Sequence, residues 1–230
     1  ISVGLTGANS PKLTDTQLKS YIDGWKAMGV NGVFADEYGT DYGVYRTRQN
    51  VFVDYAHSKG LSVFANSWKV NDALGGNDCH LNNKDYYLLE SFGFGAGAYR
   101  PLTETMDDRA KLAYYYMRTK TDSKRVNVAT IATTAASGIS SSSNTTPPFF
   151  HSYFATIVWN FDAFGFTDIT YSSYDKNANK VYPFTYPITN YGTSFIHVDY
   201  VEKKNNALYL RSTNTHNLYV TDKTGYATKK

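Results

Sequence analysis

Short apolar runs of strand length alternate with amphipathic runs of helix length through roughly the first 170 of the chain's 230 residues. Strands that alternate with helices at this spacing imply βαβ units and a parallel sheet. ISVGLTG reads as a first strand. Thr14 is placed to cap a helix, and Gln17 completes a capping box. Leu18, Tyr21, Ile22, Trp25 and Met28 recur at helical spacing as its expected buried face, and Gly29 ends it. Val30 to Ala35 form the next expected strand. Thr47 is the expected cap of a second helix through Val51, Tyr55 and Ala56, closed by Gly60. Leu61 to Ala65 are a third strand.

An Asn-, Asp- and Gly-rich stretch from Asn66 to Lys84 reads as a loop. Asp85 to Leu89 are a fourth strand, and Ala110, Ala113, Tyr114 and Met117 mark a third helix. Val126 to Ala132 are a fifth strand, followed by the low-complexity polar loop TTAASGISSSSNTTPP. Pro147 and Pro148 introduce another helix, with Phe150, Tyr153, Phe154, Ile157 and Val158 inward. A sixth strand is expected near Phe164 to Ile169. From about residue 175 the texture changes. VYPFTYPITN, SFIHVDYVEKK, NALYLRSTN and NLYVTDK are short, alternating runs separated by Asn, Lys and Gly. They read as hairpin-linked antiparallel strands. The expected organisation is a β/α barrel, partial by strand count, over residues 1–174 and a small β-rich appendage over 175–230. A closed barrel needs eight strands and about six are present, so either a piece is missing from the N-terminal side or the sheet is open.

Two carboxylates stand out in this pattern. Asp36 in GVFADEYG and Glu90 in DYYLLESFG each fall where an apolar strand gives way to a glycine-containing turn. In a β/α barrel the C-terminal edge of the strands carries the chemistry. Two carboxylates converging there are the minimum equipment for cleaving a glycosidic bond. Glu37 is adjacent to Asp36, but neighbouring strand residues point to opposite sides, so only one of the two faces the barrel axis. The competing reading makes each acid a helix cap or an ion-pair partner of Arg46 or Arg48.

Asn66, Ser67 and Trp68 end the third strand and share that rim. Asn can hydrogen-bond a sugar hydroxyl and Trp can stack on a sugar face; the plainer reading makes these residues turn and core. Tyr38, Asp41 and Tyr42 lie in the turn after Asp36, where they either line a subsite or order the loop. Tyr99 and Arg100 follow the glycine-rich stretch after Glu90 and are placed to reach the same cleft. The 21 tyrosines suit polar, wet clefts, since each ring carries a polar tip; the plainer reading is that most fill strands and helix faces.

Other chemistries lack their signatures. Net charge is +3 without a basic run, so no nucleic-acid groove is expected. Cys79 is the single cysteine, so no intrachain disulfide forms. His57, His80, His151, His197 and His216 are scattered, and Cys79–His80 lacks further zinc ligands. No metal and no cofactor is expected: there is no GxSxG, no P-loop and no dinucleotide fingerprint. No apolar run is long enough for a membrane span. ISVGLTGANS lacks the regions of a signal peptide, and the absent initial Met suggests a processed or partial chain.

The stretch WKAMGVNGVFADEYGTDYGVYRTRQNVFVDYAHSKGLSVFANSW is more specific than generic βα patterning. Its pieces GVFADEYG, DYG, TRQNVFVDYAHSKGL and VFANSW, with DYYLLESF further on, resemble a TIM-barrel family. That family is related to polygalactosaminidase-like glycoside hydrolases and spherulin-4-like proteins, and related sequences occur as modules of phage tail and cell-surface proteins. The resemblance covers roughly residues 20–135 well and the remainder loosely. It implies a (β/α)8 TIM-like barrel in which Asp36 and Glu90 match catalytic positions on the fourth and sixth strands. ISVGLTG is then the third strand, and the first two are missing from this chain. The implied partner is an extracellular or cell-envelope polysaccharide. One of Asp36 and Glu90 would be general acid/base, with Glu90 favoured for its apolar flank, and the other nucleophile or base. The rival expectation is a non-catalytic structural or receptor-binding module among other subunits of a virion or surface assembly. Either implies an extracellular or virion-associated setting. A metal-dependent deacetylase fits less well, for want of a His/Asp ligand set.

Overall fold

The computed structural model describes residues 1–5, 13–95, 98–99, 104–133, 149, 152–153, 155–156, 159–167, 200–204, 207–212, 217–221 and 227–229. The chain divides into two compact units. The first comprises Ile1–Leu89 and Lys111–Ala129, the second Glu90–Ala110 and Thr130–Lys230. The expected boundary at 174/175, the strand over VYPFTYPITN, Arg100 and nearly all of the polar loop lie outside the described residues.

The first unit begins with helix α1 (Asp15–Ala27). Its capping box is formed as the sequence predicts: the Thr14 hydroxyl accepts from the Gln17 N–H, and the Gln17 side chain accepts from the Thr14 N–H. Strand β1 (Gly32–Ala35) is followed by a 3₁₀ turn at Thr40–Tyr42, then α2 (Arg46–Ser58) and β2 (Ser62–Asn66). A five-residue helix, α3 (Val70–Leu74), lies inside the segment expected to be loop. Strand β3 (Tyr86–Glu90) follows, and then the two-residue strands β4 (Phe94–Gly95) and β5 (Ala98–Tyr99), which pair antiparallel. Helix α4 (Glu104–Thr119), β6 (Asn127–Thr133) and β7 (Ala163–Thr167) complete the βα pattern.

Five strands form one sheet in the order β1-β2-β3-β6-β7. The β1–β2 and β2–β3 pairs are parallel, with Ala35 beside Ala65 and Asn66 beside Leu88. The N-terminal segment extends this ladder on the outer side of β1. Its contacts run from the Ile1 nitrogen to Phe34 O (2.7 Å), Asp36 N to Ile1 O (2.9 Å) and Val3 N to Asp36 O (2.9 Å). The expected first strand is therefore a single parallel bridge, Ser2 to Asp36. The architecture is α/β around a five-stranded parallel sheet.

Alternation sorts the strand residues by face. Val33, Ala35, Val63 and Ala65 are buried, as are Phe52, Val53 and Ala56 of α2. On the other face Phe34, Phe64 and Tyr86 stand in register and meet edge-to-face at 5.5 and 5.8 Å.

Three expectations change. Leu18 and Ile22 alone among the predicted face of α1 are buried; Tyr21, Trp25 and Met28 are exposed, Met28 at 73%. The helical period holds, but the buried stripe is narrower than the apolar one. Helix α2 starts two residues earlier than predicted, with Tyr45 as N-cap and Thr47 inside the helix. Helix α3 escapes sequence reading because five residues cannot sustain a helix alone. It ends on a guanidinium brought from α2: Arg46 donates to the Asp72, Ala73 and Gly75 carbonyls at 2.7–3.1 Å. Those are the carbonyls a short helix leaves without partners.

In the second unit Phe149, Ser152, Tyr153, Ala155 and Thr156 take helical positions, which agrees with a helix after Pro148. Of its expected inward residues, Phe150, Phe154, Ile157 and Val158 lie outside the described residues. The Thr156 and Thr130 hydroxyls meet at 2.6 Å, and Trp159 stacks on Phe161. Strands β8 (Tyr200–Lys204), β9 (Ala207–Ser212), β10 (Asn217–Thr221) and β11 (Ala227–Lys229) make a four-stranded antiparallel sheet in the order β11-β10-β9-β8.

Candidate active site

Asp36 is the residue after β1, beside Asn66 at the end of β2. Its Oδ1 accepts from the Asn66 side-chain amide at 3.1 Å and from the Glu37 N–H at 3.0 Å. Both contacts fall on one oxygen. Asp36 does not pair with Arg46 or Arg48. Arg48 reaches the Val3 and Leu13 carbonyls and Asp15, while Arg46 caps α3 and lies 3.7 Å from Asp78.

The strand stops abruptly at this point. Glu37 sits at φ = +57°, a left-handed conformation that costs a non-glycine residue about 1–2 kcal/mol. Its carboxylate accepts from the Ser2 hydroxyl. A side chain on Gly4 would collide with that carboxylate, its Cβ lying 2.5 Å from Glu37 Oε2. Glu37 thus anchors the N-terminal segment, while Asp36 stays with Asn66.

Beyond Glu37 the edge is fastened at several points. The Tyr38 N–H donates to Asn66 O at 2.9 Å. Buried Gln49 donates to the Tyr38 and Asp72 carbonyls at 2.7 and 3.0 Å. Asp72 accepts from both the N–H and the hydroxyl of Thr40. The turn after β1 is therefore tied to the segment after β2 by hydrogen bonds that sequence reading did not anticipate. Gln49, Thr40 and Asp72 carried no signal beyond being polar residues near helix starts.

The structure treats the expected sugar-contacting residues differently. Tyr38 is fully buried, and burial pushes its phenol well above the usual tyrosine range. It is a core residue, a correction to its expected place in an open subsite. Once the left-handed turn breaks the strand alternation, its ring enters the interior. Tyr42 and Trp68 are exposed at 38% and 44%, and Asn66 is half-buried. Asp41 and Ser67 converge on Gly39, where a Cβ would press on the Asp41 carboxylate and lie 2.8 Å from the Ser67 hydroxyl. Asp36, Asp41, Tyr42, Asn66, Ser67 and Trp68 thus all belong to segments that leave the C-terminal ends of β1 and β2.

Glu90 and Tyr99 belong to the second unit. Glu90 is the last residue of β3, half-buried, and its carbonyl accepts from Arg109 Nη1 at 3.1 Å. Ser91 follows at φ = +57°, the conformation Glu37 adopts after Asp36. Phe92 is then buried, its N–H donating to Ile131 O, and Gly93 at φ = +73° passes against Ser152. Tyr99 pairs with Phe94 in the short β4–β5 ribbon. Among the described residues there is no group of three or more His, Cys, Asp or Glu positioned to hold a metal ion. No helix among them is long and apolar enough to cross a membrane.

The opposite end of β2 and β3 holds a second polar cluster. Asp85 is fully buried; it accepts from the Val63 N–H, the Asn82 N–H and His57 Nε2 at 2.8–3.0 Å. The hydrogen bond to Asp85 raises the His57 pKa above its ordinary value against the effect of burial.

Comparison with protein-family models, with curated proteins and with solved structures yields no match to this chain.

Proposed function

We propose that the protein is a glycoside hydrolase acting on an extracellular or cell-envelope polysaccharide, with Asp36 and Glu90 as its carboxylate pair. The observation that carries this reading is a repeated local device. Asp36 directly follows β1 and Glu90 ends β3 of the same sheet, and each is followed by a non-glycine residue at φ = +57°. Strained non-glycine residues cluster at active sites, where they hold a side chain in a working position. Two such residues, each directly after an expected catalytic carboxylate, favour a built site over a chance pairing of acids.

In this reading Glu90 gives its proton to the glycosidic oxygen as the bond breaks, and Asp36 attacks the anomeric carbon or activates a water. Asn66 holds Asp36 through Oδ1 and leaves Oδ2 for the sugar. Exposed Trp68 and Tyr42 supply apolar faces for stacking. Tyr99 and Asp41 complete the binding surface. The proposal includes a TIM-like barrel whose first two strands lie outside this chain and a C-terminal β sheet serving as an appendage. The motif resemblance from Trp25 to Trp68 supports the same class.

The test is replacement of Asp36 by Asn and of Glu90 by Gln, assayed on a panel of bacterial and fungal polysaccharides for new reducing ends. Each replacement should lower the rate about 10²- to 10⁴-fold while the melting profile is kept. Full activity in either folded variant defeats the assignment. The four-stranded antiparallel sheet of the second unit favours one other reading, a non-catalytic binding module of a phage tail or surface assembly. Polysaccharide binding that survives both replacements, with no cleavage by the parent protein, decides for it.

A further inference from the structure

At the end of the sheet away from Asp36, Asn31, His57, Gly60, Leu61, Ser62, Asn82 and Lys84 enclose a pocket of about 330 Å³. This is near the lower limit of ordinary small-ligand sites, about 300–1,000 Å³. Its lining holds hydrogen-bond donors and a lysine but no carboxylate. The nearest acid, Asp85, is fully buried behind His57, and backbone N–H groups and the imidazole already occupy its oxygens.

Two nitrogens set the character of this pocket. The Lys84 N–H donates to Asn82 Oδ1 at 3.0 Å, which fixes the amide so that Nδ2 faces the His57 ring. When the ring is neutral, Asn82 Nδ2 donates to His57 Nδ1 at 3.4 Å; protonation of Nδ1 breaks that hydrogen bond. The other ring nitrogen is 3.0 Å from both Asp85 oxygens, a contact that favours the imidazolium. The position of His57 in the last turn of α2 acts the same way, since helix C-termini favour cations. Asp54 adds to the effect and Lys84 opposes it. In the imidazolium state both facing nitrogens are donors, side by side, and an acceptor is needed to satisfy them.

We propose that this pocket binds a small oxyanion, held across His57 Nδ1 and Asn82 Nδ2 with Lys84 as counter-charge. Two oxygens of one phosphate or carboxylate group match two adjacent donors. The site lies at the opposite sheet edge from the carboxylates and does not depend on their function.

The experiment is a titration of the isotopically labelled full chain with acetate and, separately, with inorganic phosphate at constant ionic strength. The His57 ring and Asn82 side-chain amide resonances report binding. Saturable shifts confined to the pocket lining support the site. Because acetate keeps its charge throughout, it should bind about tenfold more weakly at about pH 8.5 than at about pH 6. Lys84→Met, a surface change, should weaken binding of either ion about tenfold. His57→Gln should abolish the pH dependence. Shifts that do not saturate with either ion, an unchanged curve in Lys84→Met, or a pH dependence of acetate binding that survives in folded His57→Gln overturns the proposal.

Discussion

The two ends of the parallel sheet each present an aspartate, and they use it in opposite ways. At the N-terminal edge Asp85 is fully buried, and both of its oxygens are engaged by backbone N–H groups and by His57. At the C-terminal edge Asp36 is half-buried; Asn66 and the Glu37 N–H both contact one oxygen, and strained Glu37 follows. A saturated buried carboxylate joins elements together. A half-saturated one at a strand end is what the proposed function requires. The two acids differ in the number of lone pairs committed to hydrogen bonds as well as in burial.

That contrast is open to direct challenge. Under the proposed function the largest expected effect is on activity: Asp36→Asn should reduce cleavage about 10²- to 10⁴-fold with stability little changed. Stability follows. Asp85→Asn should destabilise the fold by about 3–5 kcal/mol, because an amide cannot accept from all three partners and His57 loses its counter-charge. Chemical denaturation measures it, and a loss below about 1 kcal/mol would mean that the N-terminal cluster is not the clamp its geometry suggests.

A smaller effect separates His57 from the rest. Its pKa is raised in the folded state by Asp85. The associated stability is fully present below the unfolded value, about 6.5, and is lost as pH rises through the folded value. Stability relative to His57→Gln should therefore decline from mildly acidic to mildly alkaline pH, and a flat difference contradicts the coupling. The smallest expected change is at Ser91. Glycine removes the left-handed penalty there, and Ser91→Gly should stabilise by about 0.5–1 kcal/mol. Under the proposed function it should also lower activity by loosening Glu90, so unchanged activity would separate the strain from the chemistry.

The sequence is legible where the determinants of structure are local. The capping box of Thr14 and Gln17 depends on residues three apart and forms as expected. Gly29 and Gly60 adopt positive φ after α1 and α2, as helix-terminating glycines do. The strands β1, β2, β3 and β6 fall within one or two residues of their apolar runs. Features set by distant partners escaped. Helix α3 exists because Arg46, some 26–29 residues earlier, caps its carbonyls. His57 and Asp85 are 28 residues apart and meet only once α2 packs against the sheet. Tyr38 reads as a rim residue, and only the turn at Glu37 sends it inward. Tyr21, Trp25 and Met28 fit a buried helical stripe by period, yet only the contacts of the folded chain decide how wide that stripe is.

The placement of the three tryptophans has an optical consequence. Trp25 and Trp68, in the first unit, are 44% exposed each, whereas Trp159, in the second, is 3% exposed. The first two emit in a water-like environment from the start, so a red shift during denaturation arises at Trp159. The red shift therefore reports on the second unit, and a far-UV signal that melts apart from it would register the two units losing structure at different points.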